Sequence, residues 1–438
     1  MKWTRKIQAF LHDPPDKAIK IANHEERAKE ILRSAGIEYR RGREDILASA
    51  VQRVTLDLNK VIDFYGKGWG NYVWSGYPQL KLPISAEKVE YPNLTKFIDR
   101  LRRSKGYKAI DELLSKIVEV EKRVFKELVK DGYFKLWNSY PMRLKEELAK
   151  TLESEGVENA DEIAEEFVNL PAETRYPDHT IWAHLDLASA LTVDKPILVR
   201  IKISPVQDFI KNAKKEADLW AGSHMLSYLT FQALKPIIEE FGPDAVIYPH
   251  LRGQPFFVKE FLGENPKGLE VANIPNKALV VVSEENFEEL KRKIEGSFRQ
   301  TLIKMYEFAV KRARDEYGIS FDPQEYIHIL EDYFKITVEK IPFRNFSSYD
   351  EIIDFLSKHG ILDEDRRKWF EFLKEFSKYP PQPTELYPVL FEILESATNI
   401  ESSKFEKREQ VSGWKCKLCG ENLAILGDKF EYGELMKI

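Results

Sequence analysis

Residues 197–207 read Ile197-Leu198-Val199-Arg200-Ile201-Lys202-Ile203-Ser204-Pro205-Val206-Gln207, and the change of period inside this stretch sets the fold class. From Ile197 to Ile203 the chain alternates in the manner of a strand with one buried face. Ser204, Pro205 and Gln207 then supply an N-cap, a proline at the first helical position and a glutamine three residues after the cap. The helix predicted from there carries Phe209, Ile210, Ala213, Ala217, Leu219 and Trp220 to a turn at Gly222-Ser223, and a second helical stretch runs to Leu234. Further strands are predicted at Ala245 to Tyr248, Phe256 to Val258 and Lys277 to Val282. A long amphipathic helix follows, with Phe287, Leu290, Ile294, Phe298, Leu302 and Met305 on one face. Strand, helix, strand, strand, helix is a ferredoxin-like order. A fold alone assigns no chemistry.

Working outward, residues 1–194 read as mostly helical. Glu112 to Leu128 places Leu113, Leu114, Ile117, Val120, Val124 and Leu128 at the spacing of one buried helical face, and Asp161 to Val168 and Ile181 to Leu191 continue the pattern. Between roughly 64 and 95 an aromatic stretch (Phe64, Tyr65, Trp69, Tyr72, Trp74, Tyr77, Tyr91) is broken by Gly and Pro and cannot be one regular element. Its rings suit packing against the helices, and also stacking on bases. The expected architecture is α+β, with a helical domain over 1–194, a ferredoxin-like domain over 195–320 and a helical region over 321–438.

Composition bounds the function. A chain of 438 residues, 43% apolar and 32% charged, has ample core for two to four domains of a soluble globular protein. The richness in Lys and Glu, with two Cys and five Met, fits a thermophile's surface, and two Cys exclude a disulfide framework. A net charge of -5 gives no global pull toward nucleic acid. Local basic patches at Arg100-Leu101-Arg102-Arg103-Ser104-Lys105 and at Lys211, Lys214 and Lys215 could bind it, or could simply be solvated helix faces. The N-terminus has no signal-like apolar segment and no long apolar run occurs, so a cytoplasmic protein without a membrane span is expected.

Two histidine clusters carry the chemistry. His12 and Asp13 sit in Phe10-Leu11-His12-Asp13-Pro14-Pro15-Asp16-Lys17, and Asp178, His179 and His184 form a second group far along the chain. His179 and His184 are about one and a half helical turns apart, so an irregular first turn would let both face one ion. Alone, a His-Asp pair is commonly a cap or a surface hydrogen bond. Together, three of only eight histidines fall beside Asp13 and Asp178, and a mixed His/Asp shell suits Mn, Fe, Co or Ni and hydrolytic chemistry. His24, His250, His328 and His359 lack such company and read as ordinary.

Six blocks then resemble one family in its order along the chain. They are Phe10 to Lys17, Leu170 to His179 with His184, Ser204 to Ile210 with Asp218 to Ser223, Tyr248 to Pro255, Ile274-Pro275-Asn276, and Lys415-Cys416-Lys417-Leu418-Cys419-Gly420. The family is the large, polymerase-like subunit of type III-B CRISPR effector complexes, the Cmr complexes. The resemblance implies a permuted HD-type nuclease domain, a first cyclase- or polymerase-like palm, and a helical region with a zinc finger. It implies that His12, Asp13, His179 and His184 bind one or two divalent ions (Mn, Co or Ni), with Lys17 and Asp178 in catalytic support. Lys17 lies one residue further from His12 than in the commoner His-Asp-x-Gly-Lys arrangement.

The departures set further expectations. The Gly-Gly-Asp-Asp turn of the family's second palm does not occur in these 438 residues, so no cyclic oligoadenylate synthesis is expected. The chain ends 19 residues after Cys419, leaving Cys416 and Cys419 as a partial structural zinc site to be completed elsewhere. This is the pattern expected of the N-terminal portion of a longer protein. Ser204 and Gln207 at the helix start, with Gly222 and Ser223, are candidates for at most weak ATP binding. The expected function is a metal-dependent single-stranded DNA nuclease subunit working with other Cmr-type subunits, guide RNA and target RNA. The alternatives are an HD-type nucleotide phosphohydrolase and a non-catalytic scaffold that docks guide RNA and partner proteins.

Overall fold

A computed structural model describes residues 2–53, 79–81, 88–172, 179–318 and 333–403, apart from 212, 214, 344, 359, 361, 377–379 and 382–385. The chain divides into two compact units. The first comprises Met1–Pro196, Pro243–Ala245 and Pro342–Phe391, and the second Ile197–Gly242, Val246–Ile341 and Glu392–Ile438.

The first unit opens with helices α1 (Thr4–Phe10), α2 (His24–Ser34) and α3 (Glu44–Arg53) and a short antiparallel pair, β1 (Gln79–Lys81) with β2 (Lys88–Glu90). Helices α4 (Pro92–Lys105), α5 (Tyr107–Leu128), α6 (Tyr133–Ser154), α7 (Ala160–Val168) and α8 (Ile181–Ala190) follow. The α5 stripe is buried as its spacing requires, at Leu113, Leu114, Ile117, Val120, Val124 and Leu128. It packs on α2, α4 and α6. Both α1 and α3 pack on α8, and this convergence positions the site.

The second unit is built on a four-stranded sheet. Its elements are β3 (Pro196–Ser204), the short α9 (Gln207–Ile210), α10 (Glu216–Phe241), β4 (Val246–Tyr248), α11 (Pro255–Leu262), β5 (Lys277–Ser283), α12 (Phe287–Tyr317) and β6 (Lys335–Pro342). The strand order is β4-β5-β3-β6, with β4 antiparallel to β5. Helices α10 and α12 pack on each other, and α10 lies against β4 and β5. Alternation puts Leu198, Arg200 and Lys202 on the opposite side of β3 from Val199, Ile201 and Ile203. Later in the chain, α13 (Tyr349–Lys358) and α14 (Glu364–Phe376) belong to the first unit, while residues 392–403 of α15 (Tyr387–Ser403) belong to the second. Glu395 of α15 pairs with Arg200 at 2.7 Å and Lys277 at 2.9 Å, tying the helix to two strands.

Four sequence expectations change. Phe256-Phe257-Val258 is helical, because Pro255 opens α11 at its first turn and Phe256 to Val258 are buried within it. Ser204 ends β3 and caps nothing, since α9 begins at Gln207 with Val206 in the cap position. Gly222-Ser223 is no turn, for α10 runs straight through it. A Cβ on Gly222 would stand 3.1 Å from Phe209 Cε1, so the glycine there serves close packing. Finally, the region over 321–438 contributes a strand, β6, next to β3. Of the aromatic stretch, 64–78 and 82–87 lie outside the described residues.

Candidate metal centre

Helix α1 buries Ile7, Ala9, Phe10 and Leu11 and ends there, so the two residues that follow, His12 and Asp13, are carried into the interior, 4% and 3% exposed. Pro14 and Pro15 then lead into a 3₁₀ turn (Pro15–Ala18) that swings Lys17 back, with Nζ 2.5 Å from Asp13 Oδ2. Asp45 lies in the first turn of α3, a position the helix dipole favours for a carboxylate. His184 lies in the first turn of α8, whose start is set by Thr180: its Oγ1 accepts a hydrogen bond from the Ala183 amide. Because α1 and α3 both lie on α8, these side chains meet.

One ligand atom from each of His12, Asp13, Asp45 and His184 lies within 4.8 Å of the others. Ligand bonds of about 2.0–2.2 Å allow at most about 4.4 Å across one ion, so small side-chain adjustments bring the four atoms into one shell. His12 Nε2 is 3.3 Å from Asp13 Oδ2 and 3.4 Å from Asp45 Oδ1. His184 Nε2 is 3.4 Å from Asp45 Oδ1 and 3.9 Å from Asp13 Oδ2. The other oxygen of Asp13 faces His24 Nε2 at 3.2 Å.

The opposite edges of the rings are fixed. Nδ1 of His12 lies 2.7 Å from the Ala9 carbonyl, that of His24 2.6 Å from the Ile21 carbonyl, and that of His184 2.8 Å from Gln52 Oε1. An acceptor oxygen requires the hydrogen on Nδ1, which leaves each Nε2 with its lone pair toward the carboxylates unless a second proton is added. Nε2 of His12 and of His184 are both buried without a hydrogen bond. Lone pairs facing carboxylate oxygens are stable only with a proton or a cation between them. The donor set, two imidazoles and two carboxylates oriented by outer hydrogen bonds, fits a divalent transition ion.

The carboxylates that would attract a cation attract a proton to His12 as well. Burial opposes charge on His12, but Asp13 and Asp45 outweigh it and raise its pKa to about 10. Burial lowers His184, aided by nearby His12 and Lys17, so this imidazole is held neutral. Burial also works against both carboxylates, yet Lys17 and His12 hold Asp13 well below the usual range, and His12 and His184 do the same for Asp45. The pocket therefore keeps two ionised carboxylates out of water, a strong sink for a cation.

Of the residues expected from sequence, His12, Asp13 and His184 come together and Lys17 joins them on Asp13. His179 is outside the four-residue group: it precedes α8, its carbonyl accepts from the Ala172 amide, and its ring centroid is 6.4 Å from that of His184. Asp178, Cys416 and Cys419 lie outside the described residues. Two participants were missed. Asp45 looked like a routine acidic residue of a helix first turn, and His24, read as ordinary, touches Asp13. Ser204 and Gln207 end a strand and begin a four-residue helix, and Gly222 and Ser223 are interior to α10.

Comparison with known proteins places the chain. A family model described as CRISPR-associated protein Cmr2, N-terminal, matches residues 198–307, and one for the Zn-binding domain of the Cmr2 subunit of the CRISPR RNA silencing complex matches 409–438. The chain is 41% identical to the CRISPR system Cmr subunit Cmr2 of Pyrococcus furiosus, over 99% of its own length and 53% of the relative's. It is 27% identical to the corresponding subunit of Saccharolobus solfataricus, over 58% of this chain and 24% of that one. The chain thus spans about half, or less, of the length of these relatives. Among solved structures, a type III-B Cmr-beta complex in its apo state matches with 18% identity and a TM-score of 0.48, over 88% of this chain and 42% of the other.

Proposed function

Because the chain belongs to the Cmr2 family of CRISPR effector subunits, we propose that its first unit is a permuted HD-type domain that hydrolyses phosphodiester bonds of single-stranded DNA with a divalent ion. The observation that carries this reading is the convergence of two buried, hydrogen-bond-free Nε2 atoms on the carboxylates of Asp13 and Asp45. His12, Asp13, Asp45 and His184 would hold the ion. A bound Mn, Co or Ni ion supplies Lewis acidity and a water ionised near neutral pH. The chain's own residues do the rest. The Ala9 carbonyl and Gln52 orient the two imidazoles, and the buried setting keeps bulk water from competing for the carboxylates. Lys17 shares Asp13 and places a positive charge where a phosphoryl oxygen gains negative charge. His179, whose ring lies near that of His184, and Asp178, which precedes it in sequence, are proposed in support of the site.

For the second unit we propose a ferredoxin-like, cyclase-type palm. The order β4-β5-β3-β6, with α10 following β3 and α12 following β5, supports it: numbered within the unit, the strands run 2-3-1-4. Cys416 and Cys419, inside the segment matched by the Zn-binding family model, are proposed as two thiolate ligands of a structural zinc. Synthesis of cyclic oligoadenylate is not assigned to these 438 residues, which contain no Gly-Gly-Asp-Asp tetrad. Other Cmr subunits, guide RNA and target RNA are the proposed partners, and the cytoplasm the proposed location. No helix among the described residues is long and apolar enough to cross a membrane.

The test is cleavage of a labelled single-stranded oligodeoxynucleotide by the purified chain with Mn, Co or Ni, against duplex DNA and a free dNTP. Metal-dependent cleavage of the single strand that His12→Ala with Asp13→Ala abolishes is the expected result. Unchanged cleavage in the double variant would sink the assignment, and hydrolysis of dNTP alone would replace it with nucleotide phosphohydrolysis.

A further inference from the structure

Between α2 and α3 the chain reads Tyr39-Arg40-Arg41-Gly42-Arg43, with three arginines exposed immediately before the helix turn that presents Asp45. The loop is built against the metal group. Arg41 Nη2 lies 3.3 Å from Asp45 Oδ2 while Oδ1 of the same carboxylate faces His12 and His184, so the guanidinium and the ion position share one carboxylate. Arg41 Nη1 is fixed by Glu25 at 2.6 Å, and the carboxylate of buried Glu44 folds over Gly42, where a Cβ would stand 2.0 Å from it. Arg41 is 57% exposed on its side chain, whereas Asp45 beneath it is 16% exposed. The order from interior to solvent is imidazoles, carboxylate, guanidinium.

We propose that Arg40, Arg41 and Arg43 form a phosphate-docking rim that seats the backbone of single-stranded DNA beside the metal centre; this rests on the hydrolase reading above. Guanidinium groups match phosphate oxygens with paired N–H donors, and Arg41 has donors beyond the two engaged by Glu25 and Asp45. Arg41 stands on the solvent side of the Asp45 carboxylate whose other oxygen faces His12 and His184, the residues that would hold the ion. Arg40 and Arg43, exposed on the same loop, suit the neighbouring phosphates of a strand rather than a lone nucleotide. An unpaired strand can bring successive phosphates to a short basic loop without sequence readout. The chain's net charge of -5 does not oppose this, because the attraction is local and is screened beyond about 8–10 Å at ordinary salt.

The experiment measures fluorescence anisotropy of labelled oligodeoxythymidine and oligouridine with the whole chain in EDTA, so that binding is read without cleavage, across a range of salt. Changing Arg40, Arg41 and Arg43 together to Gln should weaken DNA binding by about tenfold and reduce the slope of log affinity against log salt by about 2, at roughly 0.7 per phosphate contact on single strands. Replacement by Lys should keep the slope while losing part of the affinity. The single change Arg40→Gln, which touches no residue of the metal group, should lower the slope by about 0.7 and guards against misfolding of the triple variant. An unchanged affinity and slope in the triple variant, or binding of oligouridine alone, would overturn the proposal. A chain that binds through these arginines yet cleaves nothing with Mn, Co or Ni would instead refute the hydrolase reading. Cleavage by the triple variant with an unchanged KM would refute the rim and leave the hydrolase reading standing.

Discussion

Replacing Asp45 by Asn should cost the protein its metal with little change in shape. The amide keeps the size of the side chain and an oxygen that can point at His12 and His184, but removes one of the two negative charges in the group. With Asp13 and Asp45 both ionised, a divalent ion brings the shell to neutrality; with one lost, an uncompensated charge remains among groups 1–16% exposed. A unit charge pair at 3.4 Å, the spacing of Asp45 Oδ1 from His12 Nε2, is worth about 5 kcal/mol gross at an effective dielectric constant near 20, which sets the scale for a cation in the group. Relief of the carboxylate's own desolvation returns part of this. The expected net loss is about 2.7–4 kcal/mol, a roughly 100- to 1000-fold weaker ion, beyond the 10- to 100-fold typical of groups that only orient ligands. Calorimetric titration of the purified variant with Mn, Co or Ni measures it directly. Glu25→Gln is the comparison, since it removes a nearby charge bonded to Arg41 and contacting none of the four ligand residues. An affinity for Asp45→Asn within twofold of the parent would refute Asp45 as a ligand and the geometry that nominated it.

The remaining predictions concern the frame. Lys6 and Asp244 form a buried pair, 7% and 0% exposed, in which Lys6 also donates to the Ser189 carbonyl at 3.1 Å. Lys6→Met should destabilise the first unit by about 3–5 kcal/mol in urea denaturation, and Lys6→Met with Asp244→Leu should recover most of it, because the single change strands a charge and the double change removes it; an equal loss in both variants would contradict this. Burial works against ionised Glu395, but Lys277 and Arg200 hold its pKa below the ordinary value, so its contribution to stability is present above about pH 4.5 and is lost as the pH falls through its folded pKa. Glu395→Gln should lower stability at neutral pH by about 1.5–3 kcal/mol and flatten the acid limb of the pH–stability profile, and an acid limb as steep as the parent's would count against it. Ser204 ends a strand and Gly222-Ser223 lies inside a helix, so these residues build no phosphate cradle and ATP should bind weakly, with a Kd of about 1 mM or more. Calorimetry showing micromolar ATP binding lost in Ser223→Ala would overturn that.

What the sequence determined by itself was whatever its nearest neighbours encode. The alternation of Ile197 to Ile203 and the stripes of α5 and α12 are periodicities, and a residue's face follows from its spacing once the element is helix or strand. The six motif blocks likewise carried the family, and the His-Asp pair with His184 supplied three of the four residues of the metal group. Local patterns failed where two structures share one pattern. Phe256-Phe257-Val258 is too short an apolar run to separate strand from helix, and Pro255 was the overlooked helix signal. Ser204-Pro205 has the residues of a cap, but the strand's ladder takes precedence through Ser204. Only the tertiary structure brought Asp45 and His24 to Asp13 and left His179 outside the four-residue group, beside His184. Those choices depend on α1 and α3 lying together on α8, a contact between segments distant in sequence. No spacing rule reaches that far. A carboxylate in a helix first turn looks the same whether it faces water or two buried imidazoles, and packing alone settles which.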